Sequence, residues 1–229
     1  MAQTTGRDAP IAERRHVSVL FADLVGFTTL SESRDAEQTR ELLSRYFASA
    51  RTVIARYGGT IEKFIGDAVM AVWGTPVATE SDAERAVRAA LDLVASIPEL
   101  DPGLQARAGV LTGEAAVTIG AEGEGMVAGD LVNTASRIQA AAEPGTVLVG
   151  EVTRRTTDQA IVYEAAGERE LKGKSGPVAL WRALRVVSGV GGALKSAGLE
   201  APFVGRQREL KLIKDLFHGC AQDRRAHLV

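Results

Sequence analysis

Two aspartates, Asp23 and Asp67, each close an apolar, β-rich run: FADLVGFT at residues 21–28 and EKFIGDAVMAVWG at residues 62–74. A carboxylate placed where a strand gives way to a turn or a helix faces a ligand rather than the core. Two of them supply the hard oxygen ligands that magnesium or manganese prefers. A third stretch, GDLVNTASRIQAA, begins at Gly129 and reads as the opening of a helix. It sets Asn133 and Arg137 four residues apart, so an amide and a guanidinium project from one helix face. Taken singly, each of these residues has an ordinary reading. Gly-Asp is a common turn, a strand-end Asp often caps the next helix, and Asn with Arg decorates many exposed helices.

The elements that must position these side chains follow from the hydrophobic pattern. Val17, Val19, Leu20 and Phe21 predict a buried strand over residues 16–22 that ends at Asp23. Residues 39–57 carry apolar positions at helical spacing and stop at Gly58-Gly59. Residues 60–65 and 68–73 predict two strands joined through Gly66-Asp67. A second amphipathic helix is expected over 81–97, with Pro98 beyond its end. Two strands, 105–112 and 114–119, are expected around Gly113. A Gly-rich stretch over 120–129, the Asn/Arg helix and a strand over 146–150 come next. Strands over 162–171 and 178–183, joined by a loop at 172–177, complete the pattern. The expected fold is α+β, with helices against a mainly antiparallel sheet.

The chain has 229 residues and a formal net charge of −2, with 24% charged residues of both signs. That balance leaves no electrostatic footprint for nucleic acid and no polybasic membrane anchor. Cys220 is the single cysteine, and with His16, His218 and His227 it gives no zinc-ligand spacing. No export signal and no apolar run of about 18 residues is present, so a cytoplasmic setting without membrane insertion is expected. The expected organisation is a flexible N-terminus (1–13), a catalytic domain (14–186), a linker (187–200) with the run SGVGG, and a further segment (201–229).

Together the three motifs resemble the catalytic domain of the class III nucleotidyl cyclases, which make cyclic AMP or cyclic GMP. The resemblance implies a ferredoxin-like core. It also implies that Asp23 and Asp67 bind two Mg²⁺ or Mn²⁺ ions per site, Asn133 orients the ribose, and Arg137 meets the developing charge on the α-phosphate. Lys63 stands where adenylyl cyclases read adenine N1, and Lys172 or Lys174 matches a triphosphate-binding lysine. In the family the metal aspartates of one site come from one subunit, and the base-reading and transition-state residues come from its partner. This chain has both sets, which implies a symmetric homodimer acting on ATP. Residues 201–229 resemble the start of an ATPase-type module, as often follows a cyclase domain in bacterial regulators, although no G-x-x-x-x-G-K-[ST] is present.

One position departs from the pattern. Met126 stands seven residues before Asn133, where many adenylyl cyclases carry Asp or Thr to accept a hydrogen bond from the adenine amino group. A thioether is a weak acceptor, so looser base selection is expected. The alternative to an adenylyl cyclase is a weakly active, cyclase-like nucleotide-binding module that regulates the segment after it. A diguanylate cyclase ranks far below both, because residues 58–62, GGTIE, lack that family's acidic-aromatic hairpin.

Overall fold

The computed structural model describes residues 11–119 and 127–187. All belong to the first of the two units into which the chain divides, Met1–Val190. Strand β1 (Ile11–Val25) begins within the stretch expected as a flexible N-terminus. Its alternate residues Val17, Val19 and Phe21 are buried in one cluster, and Leu20, Ala22 and Leu24 in another. Burial on both faces explains the near-continuous apolar run. Helix α1 (Phe27–Ser33) precedes α2 (Ala36–Arg56). Asp35 caps α2, its side chain accepting a hydrogen bond from the Glu37 amide at 3.0 Å.

Strands β2 (Thr60–Ile65) and β3 (Ala68–Trp73) form the expected hairpin. Helix α3 (Asp82–Leu100) runs through Pro98, which was expected beyond its end. Proline in the last turn removes one ladder hydrogen bond, and the buried Ile97 beside it keeps the turn docked. Strand β4 (Gln105–Ile119) is a second correction, since Gly113 does not divide it. Gly113 stays in register with Val17, and the equally long β1 carries the pairing through it. The chain continues as β5 (Val127–Ala128), α4 (Asp130–Ala141), β6 (Val147–Gly150), α5 (Glu151–Thr157), β7 (Ile161–Arg169) and β8 (Val178–Val186). The seven-residue helices α1 and α5 were not anticipated, because two turns carry too little periodicity to read.

The sheet order is β2-β3-β1-β4-β6-β8-β7, with β5 on β4. Every pairing is antiparallel except β4 with β6. The part β2-β3-β1-β4, crossed by α2 and α3, is the split βαββαβ arrangement of a ferredoxin-like core, so the expected α+β class holds. Helices α2 and α3 pack on the face carrying Leu20, Ala22, Val69 and Ala71. Helix α4 packs on the opposite face over Val17, Val19, Phe21 and Met70. Strand alternation puts Asp23 on the α4 side with Phe21.

Lys63 reaches that same side through a β-bulge. The register runs Ile61↔Ala71 and then Lys63↔Met70, leaving Glu62 as the extra residue. Without it, Lys63 would oppose Val69 and point into the α2/α3 core. Among the described residues no helix is long and apolar enough to cross a membrane.

Helix α4 sits directly on the β4 backbone at Gly109. A Cβ there would lie 2.4 Å from the Gln139 amide nitrogen and 2.9 Å from the Ala135 carbonyl oxygen. Only backbone atoms oppose it, so the helix itself would have to move. Gly109→Ala should therefore cost about 1–3 kcal/mol, a drop of roughly 2–4 °C in melting temperature per kcal/mol. Gly113→Ala meets only the end of the Leu131 side chain, at 3.0 Å, and should cost less in the same thermal denaturation experiment.

Candidate active site

Asp23 lies inside β1, which was expected to end there and instead stays paired with β4 through Val25, and it comes together with Asp67 on the β2–β3 hairpin, which turns through Gly66 at φ 62°. The Asp67 carboxyl is held above the usual carboxylate range first by burial and then by the charge of Asp23, with hydrogen bonding to Asp23 adding to both. Two carboxylates thus face each other closely enough to repel. The nearest compensating cation is Arg107, the cross-strand partner of Asp23 on β4. Its Nη2 lies 3.4 Å from Asp23 Oδ2, and its Nη1 donates to the Ala140 carbonyl at 3.0 Å. Gln139 Nε2 also approaches Asp23 Oδ2, at 3.5 Å.

A divalent cation would relieve the repulsion that one guanidinium only offsets, and the all-oxygen donor pair suits magnesium or manganese. Among the described residues no group of three or more His, Cys, Asp or Glu side chains offers an alternative metal site. Arg107 was not singled out from the sequence. The available signal was a charged residue between the fully buried Ala106 and Ala108, but its partner depends on the β1–β4 register.

Asn133 and Arg137 lie on α4, as expected, with Asn133 exposed and Arg137 partly buried. The helix buries Leu131, Thr134, Ala135, Ile138 and Gln139. Arg137 and Gln139 differ by about 200° around the axis at 100° per residue, so they leave opposite sides. Gln139 approaches Asp23, whereas the Arg137 guanidinium lies against the β7–β8 loop. A Cβ on Gly173, where φ is 77°, would come 3.3 Å from one of its nitrogens. Among the described residues no hydrogen bond or ion pair joins Asn133 or Arg137 to Asp23 or Asp67.

The same loop carries both candidate lysines. Lys174 is ion-paired with Asp130 in the first turn of α4, on the Arg137 side, while Lys172 is exposed. Both line a cavity of about 400 Å³ with Glu170, Ser175 and Gly176. Lys63 is partly buried, on the Asp23 face of the sheet. Met126 lies outside the described residues.

The sequence matches the family described as the Adenylate and Guanylate cyclase catalytic domain over residues 10–182. The chain belongs to the class III nucleotidyl cyclases. A relative named Adenylate cyclase 1, from Rhizobium meliloti (strain 1021), is 33% identical over 193 residues, which is 78% of this chain and 29% of that protein. An uncharacterized protein of the same organism, R02095, is 32% identical over 216 residues, covering 90% of this chain and 21% of its own length. The chain thus spans less than a third of either relative. Among solved structures, the adenylyl cyclase CyaB from P. aeruginosa is 31% identical with a TM-score of 0.72, over 76% of this chain and 96% of that one. The guanylyl cyclase Cya2 is 29% identical with a TM-score of 0.70, over 79% and 97%. Nothing in these comparisons supports the expected ATPase-type module at residues 201–229, which lies outside the described residues with most of the expected linker.

The cyclase domain therefore holds its carboxylate pair at a cost that depends on pH. Between the ordinary carboxylate value and the raised Asp67 value, the folded state binds more protons than the unfolded one. Stability contributed by this group is present at acid pH and is lost as pH rises through that window. Asp67→Asn should consequently make the metal-free domain more stable than wild type at pH 7, with the gain vanishing below about pH 4. Thermal melts of both proteins across pH 3.5–7.5 check this, and a pH-independent difference would show that charge is not its source.

Proposed function

We propose that the domain is an adenylyl cyclase that converts ATP to 3′,5′-cyclic AMP and pyrophosphate in a site shared between two copies of the chain. The observation that carries this reading is the two-sidedness of α4. The carboxylate pair meets one side of the helix, and Asn133 with Arg137 leaves the other. Residues of both kinds are needed around one triphosphate, and a symmetric dimer with two equivalent sites supplies them from opposite subunits.

Asp23 and Asp67 would hold two divalent cations, which lower the pKa of the ribose 3′-hydroxyl and neutralise charge on the attacking and leaving oxygens. Arg137 from the partner subunit meets the charge that develops on the α-phosphate, and its planar guanidinium suits that task. Asn133 acts by orienting the ribose for in-line attack. Arg107 places a further cation beside the carboxylates. Lys172 and Lys174, on the loop against which the Arg137 guanidinium lies, are the candidates to meet the triphosphate.

Lys63 donates to adenine N1, and the bulge at Glu62 keeps it out of the α2/α3 core. Met126 offers the adenine amino group no good acceptor, and the relatives include both an adenylyl and a guanylyl cyclase. Incubating the purified protein with ATP or GTP and Mn²⁺ or Mg²⁺, with chromatographic identification of the product, decides it. Cyclic AMP is expected as the main product with some cyclic GMP, and Lys63→Glu should reduce ATP use. A predominance of cyclic GMP in wild type would reverse the substrate assignment.

The shared site has its own test. Asp23→Ala and Arg137→Ala should each be inactive alone, because every site then lacks either a carboxylate or the guanidinium. Mixed dimers carry one intact site and one doubly defective site. With random pairing at equal concentrations, activity should recover to about a quarter of wild type. No recovery under conditions of demonstrated subunit exchange would place the whole site within one chain.

A further inference from the structure

The last turn of α4 buries an amide beside the apolar Ala135 and Ile138. Gln139 is only 6% exposed, and burying an amide is costly unless it finds a partner. Among the described residues its side chain makes one hydrogen bond, from Nε2 to Asp23 Oδ2 at 3.5 Å.

The strand register supports that contact independently of its length. The Gln139 backbone packs on Gly109 of β4, and Gly109 pairs with Phe21 of β1. Two residues along the same face of the ladder, Arg107 pairs with Asp23. A side chain leaving α4 over Gly109 therefore has Asp23 as a near neighbour. Arg107 Nη2 meets the same carboxylate oxygen, Oδ2, at 3.4 Å, and its Nη1 donates to the carbonyl of Ala140, the residue after Gln139. One turn of α4 thus sets both donors on Oδ2, and among the described residues no N–H group meets Oδ1. Outer donors that fix one oxygen of a carboxylate orient the other toward a metal. The two donors differ in charge. Arg107 repels any cation that Asp23 holds, whereas the Gln139 amide fixes the same oxygen without adding charge.

We propose that Gln139 is a positioning residue for the metal site, its amide holding Asp23 Oδ2 so that Oδ1 is left to a divalent cation. This rests on the metal-binding reading of Asp23 and Asp67. The amide acts through Asp23, so its removal should weaken metal binding with little effect on the rate once metal saturates the site.

Gln139→Met in the full chain removes the donor and keeps an unbranched side chain suited to a buried position. Mn²⁺ binding without nucleotide, followed by loss of the free-ion electron paramagnetic resonance signal, should weaken by roughly tenfold. In activity assays the Mn²⁺ concentration for half-maximal rate should rise, while the rate at saturating Mn²⁺ returns close to wild type. Ile138→Val, at the neighbouring buried position, controls for loosened helix packing: its melting temperature should fall while its Mn²⁺ affinity stays at the wild-type value. Gln139→Asn keeps an amide but draws it back by one methylene, so it should weaken Mn²⁺ binding as well, and it serves as the test if the Met variant does not fold. Wild-type Mn²⁺ affinity in either folded Gln139 variant would overturn the role of Gln139 and leave the metal reading standing. An equal loss of affinity in Ile138→Val would assign the effect to helix docking and overturn it too. If wild type itself binds no Mn²⁺, the metal reading falls and the role of Gln139 with it.

Discussion

The mutual repulsion of Asp23 and Asp67 is the constraint around which the described structure is arranged. Like charges at close range are tolerated only when the scaffold holds them there. One carboxylate is fixed on a strand buried on both faces, and the other on a hairpin turn that the same sheet supports. Arg107 offsets part of the charge, and it is anchored in turn by the Ala140 carbonyl on α4. The helix keeps that carbonyl in place because Gly109 lets it rest on the β4 backbone. A glycine in the middle of a strand thus contributes to a charge arrangement it never touches.

The bulge at Glu62 solves a second placement problem. Side chains alternate across a strand, so a lysine four residues before Asp67 has its face decided by register alone. A regular ladder would have pointed Lys63 into the core beneath α2, where a charged amine is costly. One inserted residue sends Ile61 into that core and Lys63 to the Asp23 side. The neighbouring Glu62 becomes the buried member of the trio.

These two features also mark where sequence reading reached its limit. The bounds of the hairpin strands were legible to the residue, because β-rich runs on either side of Gly66-Asp67 leave little choice for the turn. The long helices were legible from apolar spacing, and so was the α+β class. The bulge was not, since Ile61, Glu62 and Lys63 carry no local signal for an extra residue. The unbroken β4 was missed for a related reason, because Gly113 looks like a breaker until its partner strand is known to continue past it. Arg107 depends on cross-strand pairing over more than eighty residues of chain. Asp23, Asp67, Asn133 and Arg137 could be named from their motifs, but the opposition of the two pairs across α4 emerged only with the helix docked.

That opposition bears on how the site could be tuned. Gln139 and the Ala140 carbonyl tie α4 to the carboxylate side, while Arg137 and Asp130 tie it to the β7–β8 loop. A rotation of the helix that improves one side disturbs the other, because the two sets leave a single rigid cylinder about 200° apart. In the proposed homodimer each copy of α4 serves one site with its sheet-facing side and the second site with its outer side. A small rotation of one helix would then disturb both sites at once. Two sites linked through rigid helices in this way form a physical route for coupling that needs no separate regulatory domain.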